Sequence, residues 1–326
     1  MLSIIIPVHN VEKYIESLLD SIINGGFDAK NDEVIIVDDG STDQTVDRIR
    51  FFEQNNEAFQ YKLLTQNCTG VSNARNAGLK IATKDYVWFV DGDDMLPKGV
   101  LSFLHSIILK THPDLIEGGY LPVNEDAKTF ALDYEFREIN TKKNSGGSAW
   151  TMIVKRNFLL ENHILFQEEL AYGEDYLWTF LVNSLVKNKI FVSEIYGYRK
   201  SLNSAMRSNT KSKAIRRCQD MIALAEHYRN YGIKYELDVK KRIAMSIQSV
   251  LFNSIIFRLD KESVKNFLSE MKKKQLYPYP IMWEHIIPNT SLSHTLINYF
   301  TLMFPIEPVF WLYYTVIGIF KKKQYL

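Results

Sequence analysis

Three carboxylates fall within four positions in "YVWFVDGDDML": Asp91, Asp93 and Asp94, at the end of a run suited to a buried strand. Their mutual repulsion makes each charge costly to hold. The stretch is therefore either an ordinary strand-end turn, for which Asp and Gly are the usual punctuation, or a place where a hard cation relieves the repulsion through oxygen ligands. Two further acid pairs stand out, Asp38-Asp39 in "EVIIVDDGSTDQT" and Glu174-Asp175 in "AYGEDYLWTF". In the second, Gly173 gives the chain freedom to turn and the acids open a helical pattern, where negative charge suits the helix N-terminus.

Periodicity shows which elements must position these acids. "LSIIIPV" is a short apolar run. Val11, Tyr14, Ile15, Leu18, Leu19, Ile22 and Ile23 then recur at helical spacing, so an amphipathic helix follows, capped by Asn10 and stopped by Gly25-Gly26. "EVIIVDDGS", "YKLLTQN" and "DYVWFVDGDD" read as further strands, "TDQTVDRIRFFEQ" and "GVSNARNAGLKIAT" as helices. Strands alternating with helices predict an α/β fold with a mostly parallel sheet covered on both faces. Ligands of such sheets gather at the carboxyl ends of the strands. His9-Asn10, Asp38-Asp39-Gly40-Ser41, Asn67 and Asp91-Gly92-Asp93-Asp94 all fall there. Four polar loops on one rim weigh against reading each as an isolated turn.

The 326 residues, 46% hydrophobic and 24% charged, suit one large domain or two unequal ones. Cys68 and Cys218 are too few for a disulfide framework and lack metal-ligand spacing, which fits a reducing compartment. The opening "MLSIIIPVHN" has no basic n-region, and Ser3 and Pro7 interrupt its apolar run, so it does not read as a signal peptide. The net charge of +1 hides an asymmetry. Residues 1–210 hold 21 Lys and Arg against 29 Asp and Glu, and residues 211–326 hold 18 against 9. An acidic unit is a poor nucleic-acid binder, whereas a basic helical tail can face anionic lipid or simply be a solvated face. Beyond residue 211 the pattern turns to long helices, with basic runs at Lys272–Lys274 and Lys321–Lys323. We expect two parts, a catalytic domain over 1–210 and a helical region over 211–326.

Taken in order, "IIIPVHNVEKYI", "VIIVDDGSTDQT", "GVSNARNAGL", "YVWFVDGDDML", "GEDYLWTF" and "YGYRKSLNSAM" resemble the motifs of the family 2 glycosyltransferases over roughly residues 1–207. The resemblance implies a GT-A catalytic domain that moves a sugar from a nucleotide diphosphate, UDP by default, to a hydroxyl with inversion. Charge developing on the departing diphosphate then calls for Mn²⁺ or Mg²⁺. The cluster resembles the family's Asp-x-Asp, with Asp91 near the ribose and metal shell and Asp93 the direct ligand. Asp94 is a second ligand or a loop-fixing acceptor.

The resemblance also places the backbone at Pro7 and Val8 around the base, with Asp39 accepting from the base imide beside Asp38, Asn10, Gly40 and Asn67. Asp38 and Ser41 have a competing reading as helix caps. Gly70 permits a tight approach to the nucleotide. Arg75 reaches the diphosphate or pairs with the Asp91 cluster, and Gly92 belongs to the same loop. The acid pair supplies the base, with Asp175 favoured and Glu174 shaping the acceptor pocket. Arg199, Ser204 and Arg207 resemble a segment that closes over the diphosphate. Tyr198-Arg199 is intact, but Ser201 stands where many members carry His or Arg, which weakens that contact. Absence of Gln-x-x-Arg-Trp argues for a single sugar per acceptor.

Residues 292–320 are unusually apolar and aromatic, split by Pro305 and Pro308. The run Val309 to Phe320 would reach about 18 Å as a helix against a hydrocarbon core of about 30 Å, so it is not expected to span. Trp311, Tyr313 and Tyr314 before three lysines suit the lipid interface, and a homodimer contact through the C-terminal helices competes. The expected partners are a nucleotide sugar, a glycan or lipid-linked oligosaccharide acceptor and the inner face of the plasma membrane from the cytoplasm, with no nucleic acid. A nucleotidyltransferase would need a Gly-rich basic loop after the first strand, and a Rossmann oxidoreductase Gly-x-Gly-x-x-Gly; "PVHNVEKYI" has neither. A non-catalytic glycan-binding or scaffold protein would not need Asp91, Asp93 and Asp175 intact.

Overall fold

The computed structural model describes residues 1–277 apart from 57–58, 128–135, 140–147 and 201–209. The chain divides into two compact units, Met1–Glu169 with Glu174–Ser204, and Leu170–Gly173 with Ala205–Leu326.

The first unit opens with alternating strands and helices: β1 (Leu2–Val8), α1 (Ile15–Asn24), β2 (Glu33–Asp38), α2 (Thr45–Asn55), β3 (Tyr61–Thr65), α3 (Val71–Ile81), β4 (Tyr86–Phe89) and α4 (Val100–Thr111). It continues with β5 (Leu115–Val123), β6 (Glu138–Ile139), β7 (Met152–Lys155), α5 (Arg156–Glu161), α6 (Glu174–Leu185) and β8 (Lys189–Arg199). These strands form one sheet in the order β3-β2-β1-β4-β7-β5-β8-β6. Six of the eight run in one direction, and β7 and β6 oppose them. The mostly parallel α/β sheet expected from the sequence is therefore present.

All seven residues of β1 are buried, because β2 and β4 flank it and helices cover both faces, which is why it reads as an unbroken apolar run. In α3, a Cβ on Gly78 would stand 2.3 Å from Ile5 Cγ2, so the small residue lets the helix lie tight against the central strand. At the other side of the centre, Trp88 Nε1 donates to the Trp150 carbonyl at 2.8 Å, which satisfies a buried polar group that would otherwise cost stability.

The expected helix after β1 starts later than the apolar spacing suggests. Asn10 adopts φ 54°, and Val11 N–H donates to Thr45 Oγ1 at 2.8 Å. The chain thus makes a turn bound to the entry of α2 before α1 begins at Ile15. Asn10 does not cap α1, whose N-cap residue is Tyr14. Its side chain serves the neighbouring loop instead.

The second unit contains α7 (Lys211–Tyr235), α8 (Lys240–Ile256) and α9 (Lys261–Lys273). Thr210 caps α7 by accepting from Lys213 N–H, and Asp260 caps α9 by accepting from Ser263 N–H at 2.8 Å. Residues such as Cys218, Ile222, Ile247, Leu251 and Leu268 form its core. No helix among the described residues is long and apolar enough to cross a membrane. The segment 292–320, Lys321–Lys323, Ser204 and Arg207 lie outside the described residues.

Candidate active site

The loops after β1, β2 and β3 interlock at the carboxyl ends of their strands. In the parallel register Pro7 pairs with Val37 and Val8 with Asp38. The Val8 carbonyl then accepts from Asp39 N–H at 2.9 Å. Asp39 is buried and organises the rim. Its Oδ1 accepts from Gln66 Nε2 at 2.9 Å and Thr69 N–H at 2.7 Å, and its Oδ2 accepts from Gly70 N–H at 2.9 Å. A carboxylate has about four acceptor positions, so one on Oδ2 remains beyond these backbone and amide bonds.

Asp38 Oδ1 accepts from Ser41 N–H at 3.1 Å and closes the turn; it is not the cap of α2, whose N-cap residue is Gln44. Asn10 Oδ1 accepts from Thr42 N–H at 2.8 Å, and Asn10 N–H donates to Ser41 Oγ at 3.0 Å. Gly40 has φ 73°, and a Cβ there would meet Cys68 Sγ at 2.9 Å, so conformation and space both demand glycine. Gly70, φ 99°, has open space beside its Cα, and its role is conformational. Asn67 is exposed on the loop after β3.

The acidic loop after β4 is held from β8. Asp94 is buried, its Oδ2 accepting from the Tyr196 hydroxyl and its Oδ1 from Arg199 N–H, each at 2.7 Å. Of its two sequence readings, the loop-fixing acceptor is the one the geometry realises. Gly92 packs against β1: a Cβ would stand 2.8 Å from Val8 Cγ1 and 3.1 Å from the Pro7 carbonyl. Arg199 is buried, donating from Nε to the Asp93 carbonyl at 2.8 Å and from a terminal nitrogen to the carbonyls of Glu125 and Ala127 at 2.8 Å. Its other terminal nitrogen reaches Ser17 Oγ at 3.1 Å, and its guanidinium lies 5.1 Å from the Tyr14 ring centroid. These partners make Arg199 a brace of the Asp93 loop, where the sequence reading placed its guanidinium on a diphosphate.

Arg75 joins this loop to the second acid pair. One terminal nitrogen donates to Asp91 Oδ1 at 2.9 Å and the other to Asp175 Oδ1 at 2.9 Å, with Glu174 Oε1 at 3.5 Å. The guanidinium is buried 5.0 Å from the centroid of Phe166, which itself stacks on Trp178. An ion pair with the acids, the alternative to a diphosphate contact, is thus what the structure shows for Arg75.

Five carboxylates crowd around this guanidinium and the Arg199 brace, and burial, together with neighbouring negative charge, raises Asp93, Asp94, Glu174 and Asp175. Asp93 is pushed up to about 6 by burial and by Asp91. Glu174 is pushed up to about 7 by burial and by Asp175. Burial also raises Asp175, with Arg75 opposing it. Among the described residues no three His, Cys, Asp or Glu groups form a ready-made cation cage. Asp91 and Asp93 nevertheless fit a cation held jointly with oxygens of a bound ligand. Both are hard donors, Asp94 is already spent, and a positive charge would relieve what holds Asp93 above the usual carboxylate range.

Three contributors were not legible in advance: Tyr196, which bridges Asp91 N–H and Asp94, and Phe166 with Trp178 beneath Arg75. The spacing of Tyr196 and Tyr198 in "YGYR" places both on one face of a strand, which is the signal that could have found Tyr196.

The family model described as Glycosyl transferase family 2 matches residues 3–168. The poly(ribitol-phosphate) beta-N-acetylglucosaminyltransferase TarS of Staphylococcus aureus is 34% identical over 180 residues, covering 54% of this chain and 31% of its own length. The chain spans less than a third of the length of such curated relatives. The structure of S. aureus TarS 1-349 in complex with UDP-GlcNAc matches with a TM-score of 0.68 at 23% identity, over 99% of this chain and 92% of that one. A mannosyltransferase from Pyrobaculum calidifontis in complex with GDP-Man and Mn²⁺ matches with a TM-score of 0.51 at 14% identity, over 97% and 84%.

Proposed function

The chain belongs to glycosyl transferase family 2, and from that premise we propose that it transfers one sugar from a UDP-linked donor to a hydroxyl of a glycan acceptor with inversion. The observation behind this reading is the pinning of Asp91 and Asp175, from distant parts of the chain, 2.9 Å from the two terminal nitrogens of one buried guanidinium. A strand-end acid suited to the donor's metal and a helix-start acid suited to the acceptor's proton are thereby fixed in one site.

Asp39 has the acceptor position left on Oδ2 with which to take an imide N–H of the base, beside the backbone of Pro7 and Val8. Asp91 and Asp93 would hold Mn²⁺ or Mg²⁺, which when bound neutralises charge developing on the diphosphate. Asp175 takes the acceptor proton: the acceptor oxygen bonds to the anomeric carbon, the bond from that carbon to the diphosphate oxygen breaks, and the proton ends on the carboxylate. Burial makes Asp175 a stronger base, and Arg75 fixes its orientation through Oδ1. Glu174 shapes the acceptor side. Ser204 and Arg207 are the proposed contacts to the diphosphate.

The donor assignment draws support from the TarS structure in complex with UDP-GlcNAc, and the metal from the mannosyltransferase structure in complex with GDP-Man and Mn²⁺. TarS is named for a poly(ribitol-phosphate) acceptor. A lipid-linked intermediate of a surface polysaccharide, reached from the cytoplasmic face of the membrane, suits a basic region 211–326 that ends in interfacial aromatics and lysines. A donor-hydrolysis screen over UDP-, GDP- and dTDP-sugars with Mn²⁺ tests the proposal. Release of UDP from a UDP-sugar is expected, and no release from any donor by folded protein would overturn it.

A further inference from the structure

Phe166 belongs to no helix or strand, yet it is 2% exposed, and its ring meets the three elements that carry Arg75, Asp175 and Asp91. The Arg75 guanidinium of α3 lies 5.0 Å from its centroid. Trp178, one turn after Asp175 on α6, stacks on it with centroids 5.0 Å apart and an interplanar angle of 3°. Phe89, which ends β4 just before Val90 and Asp91, meets it edge-on at 5.1 Å and meets Trp178 at 5.6 Å. All of these residues belong to the first unit.

A ring on connecting chain keeps such a place only if its backbone is held. Asn76, the residue after Arg75, holds it. Phe166 N–H donates to Asn76 Oδ1 at 3.0 Å, and Asn76 Nδ2 donates to the Phe166 carbonyl at 2.9 Å and to Glu168 Oε1 at 3.2 Å. One side-chain amide thus gives Phe166 the acceptor and the donor that a neighbouring strand would otherwise supply. Arg75 depends on this ring. Its Nε is buried and meets no acceptor among the described residues, and its terminal nitrogens are held by Asp91, Asp175 and Glu174, the groups whose placement it sets. The face of Phe166, which attracts a cation, is a support that does not come from the acids.

We propose that Asn76 is a positioning residue: by pinning the Phe166 backbone it keeps the ring against the Arg75 guanidinium and so holds that guanidinium between Asp91 and Asp175. The inference rests on the reading of Asp175 as the base. A displacement of about 1 Å in a reacting group can cost about a hundredfold in rate, so slack in the support of Arg75 reaches the base.

The test compares N76A and F166L in the full chain. The first deletes the clamp at a half-buried helix position, and the second keeps apolar bulk while deleting the ring. Donor hydrolysis is measured across pH, in Mn²⁺, with the nucleotide sugar the wild type cleaves fastest. The Arg75 side-chain Nε–H resonance, assigned by its loss in R75K, is followed by NMR in ligand-free protein. Both variants are expected to lower kcat about tenfold. The acid limb of the pH–rate profile should move to higher pH, because Arg75 opposes the burial that raises Asp175. The Arg75 resonance should shift as the ring current of Phe166 is moved or lost. If F166L does not fold, N76A decides alone. Folded N76A with wild-type kcat, acid limb and Arg75 resonance would overturn the proposal. So would a loss of kcat with the acid limb and the resonance unmoved, which would make Asn76 structural only. If D175N leaves hydrolysis intact, the base reading fails by itself, and the Arg75 resonance still decides whether Asn76 sets the guanidinium.

Discussion

The hydroxyl of Tyr196 donates to Asp94 Oδ2 at 2.7 Å and accepts the backbone N–H of Asp91 at 3.0 Å, so one phenol on β8 fixes both ends of the acidic loop after β4. The ring cannot swing away, because it is buried and stacks on Trp150 with centroids 4.5 Å apart. Burial and Asp94 together hold its proton on well past the usual tyrosine range, which keeps it a donor.

Tyr196→Phe should therefore cost about 1–3 kcal/mol of stability, since it leaves a carboxyl oxygen and a backbone N–H without this partner. Urea unfolding measures that loss. Mn²⁺-dependent UDP affinity should fall with it, because Asp91 and Asp93 lose the frame that presents them. Full affinity in a folded variant would show that the loop keeps its shape without the phenol.

Asp93→Ala should abolish the Mn²⁺ dependence of UDP binding and leave the melting temperature nearly unchanged. The side chain is half-buried at a strand end, crowded by Asp91 and contributing no core packing. Calorimetric titration with and without Mn²⁺ decides the matter, and an unchanged metal effect would remove Asp93 from the cation site.

Asp175→Asn should keep donor binding and lose transfer by about 10²–10⁴-fold, the usual contribution of a general base. The amide oxygen still accepts from Arg75, so the geometry is retained while basicity is lost. A fall of less than about tenfold, with chemistry rate-limiting, would transfer the role to Glu174.

Glu174 makes stability depend on pH in a defined direction. Its carboxyl is raised from an ordinary 4.5 to about 7, because burial and Asp175 disfavour the charged form. The folded state thus holds the proton more tightly than the unfolded state. The contribution is fully present below about pH 4.5, is lost as pH rises toward 7, and stays lost above that. Glu174→Gln removes this penalty. The variant should gain melting temperature relative to wild type at pH 8 and show a smaller difference, or none, at pH 5, in metal-free buffer. An equal difference at both values would mean that Glu174 titrates normally.

Asp39 and Asp93 show what could be read from short stretches. Strand and helix periodicity fixed the order of the first seven elements, and polar residues at the strand ends marked the rim, because both signals depend on neighbours a few positions away. Gly40 and Gly173 announced turns for the same reason, and both have positive φ.

The sequence by itself thus determined the α/β alternation, the acidic rim, the family and the change to helices near residue 211. Only the tertiary structure decided which partner each polar group takes. Arg75 chooses Asp91 and Asp175, the latter 100 residues away. Asp94 chooses Tyr196, 102 residues away, over a role as a free ligand. Arg199 spends its donors on carbonyls that the fold brings beside it, and Asn10 turns from the helix after it to the loop beside it. Asn76 reaches forward to Phe166 across 90 residues. Hydrogen bonds and ion pairs are short-ranged in space and indifferent to sequence separation, so a buried charge takes whichever complementary group packing delivers within about 3 Å.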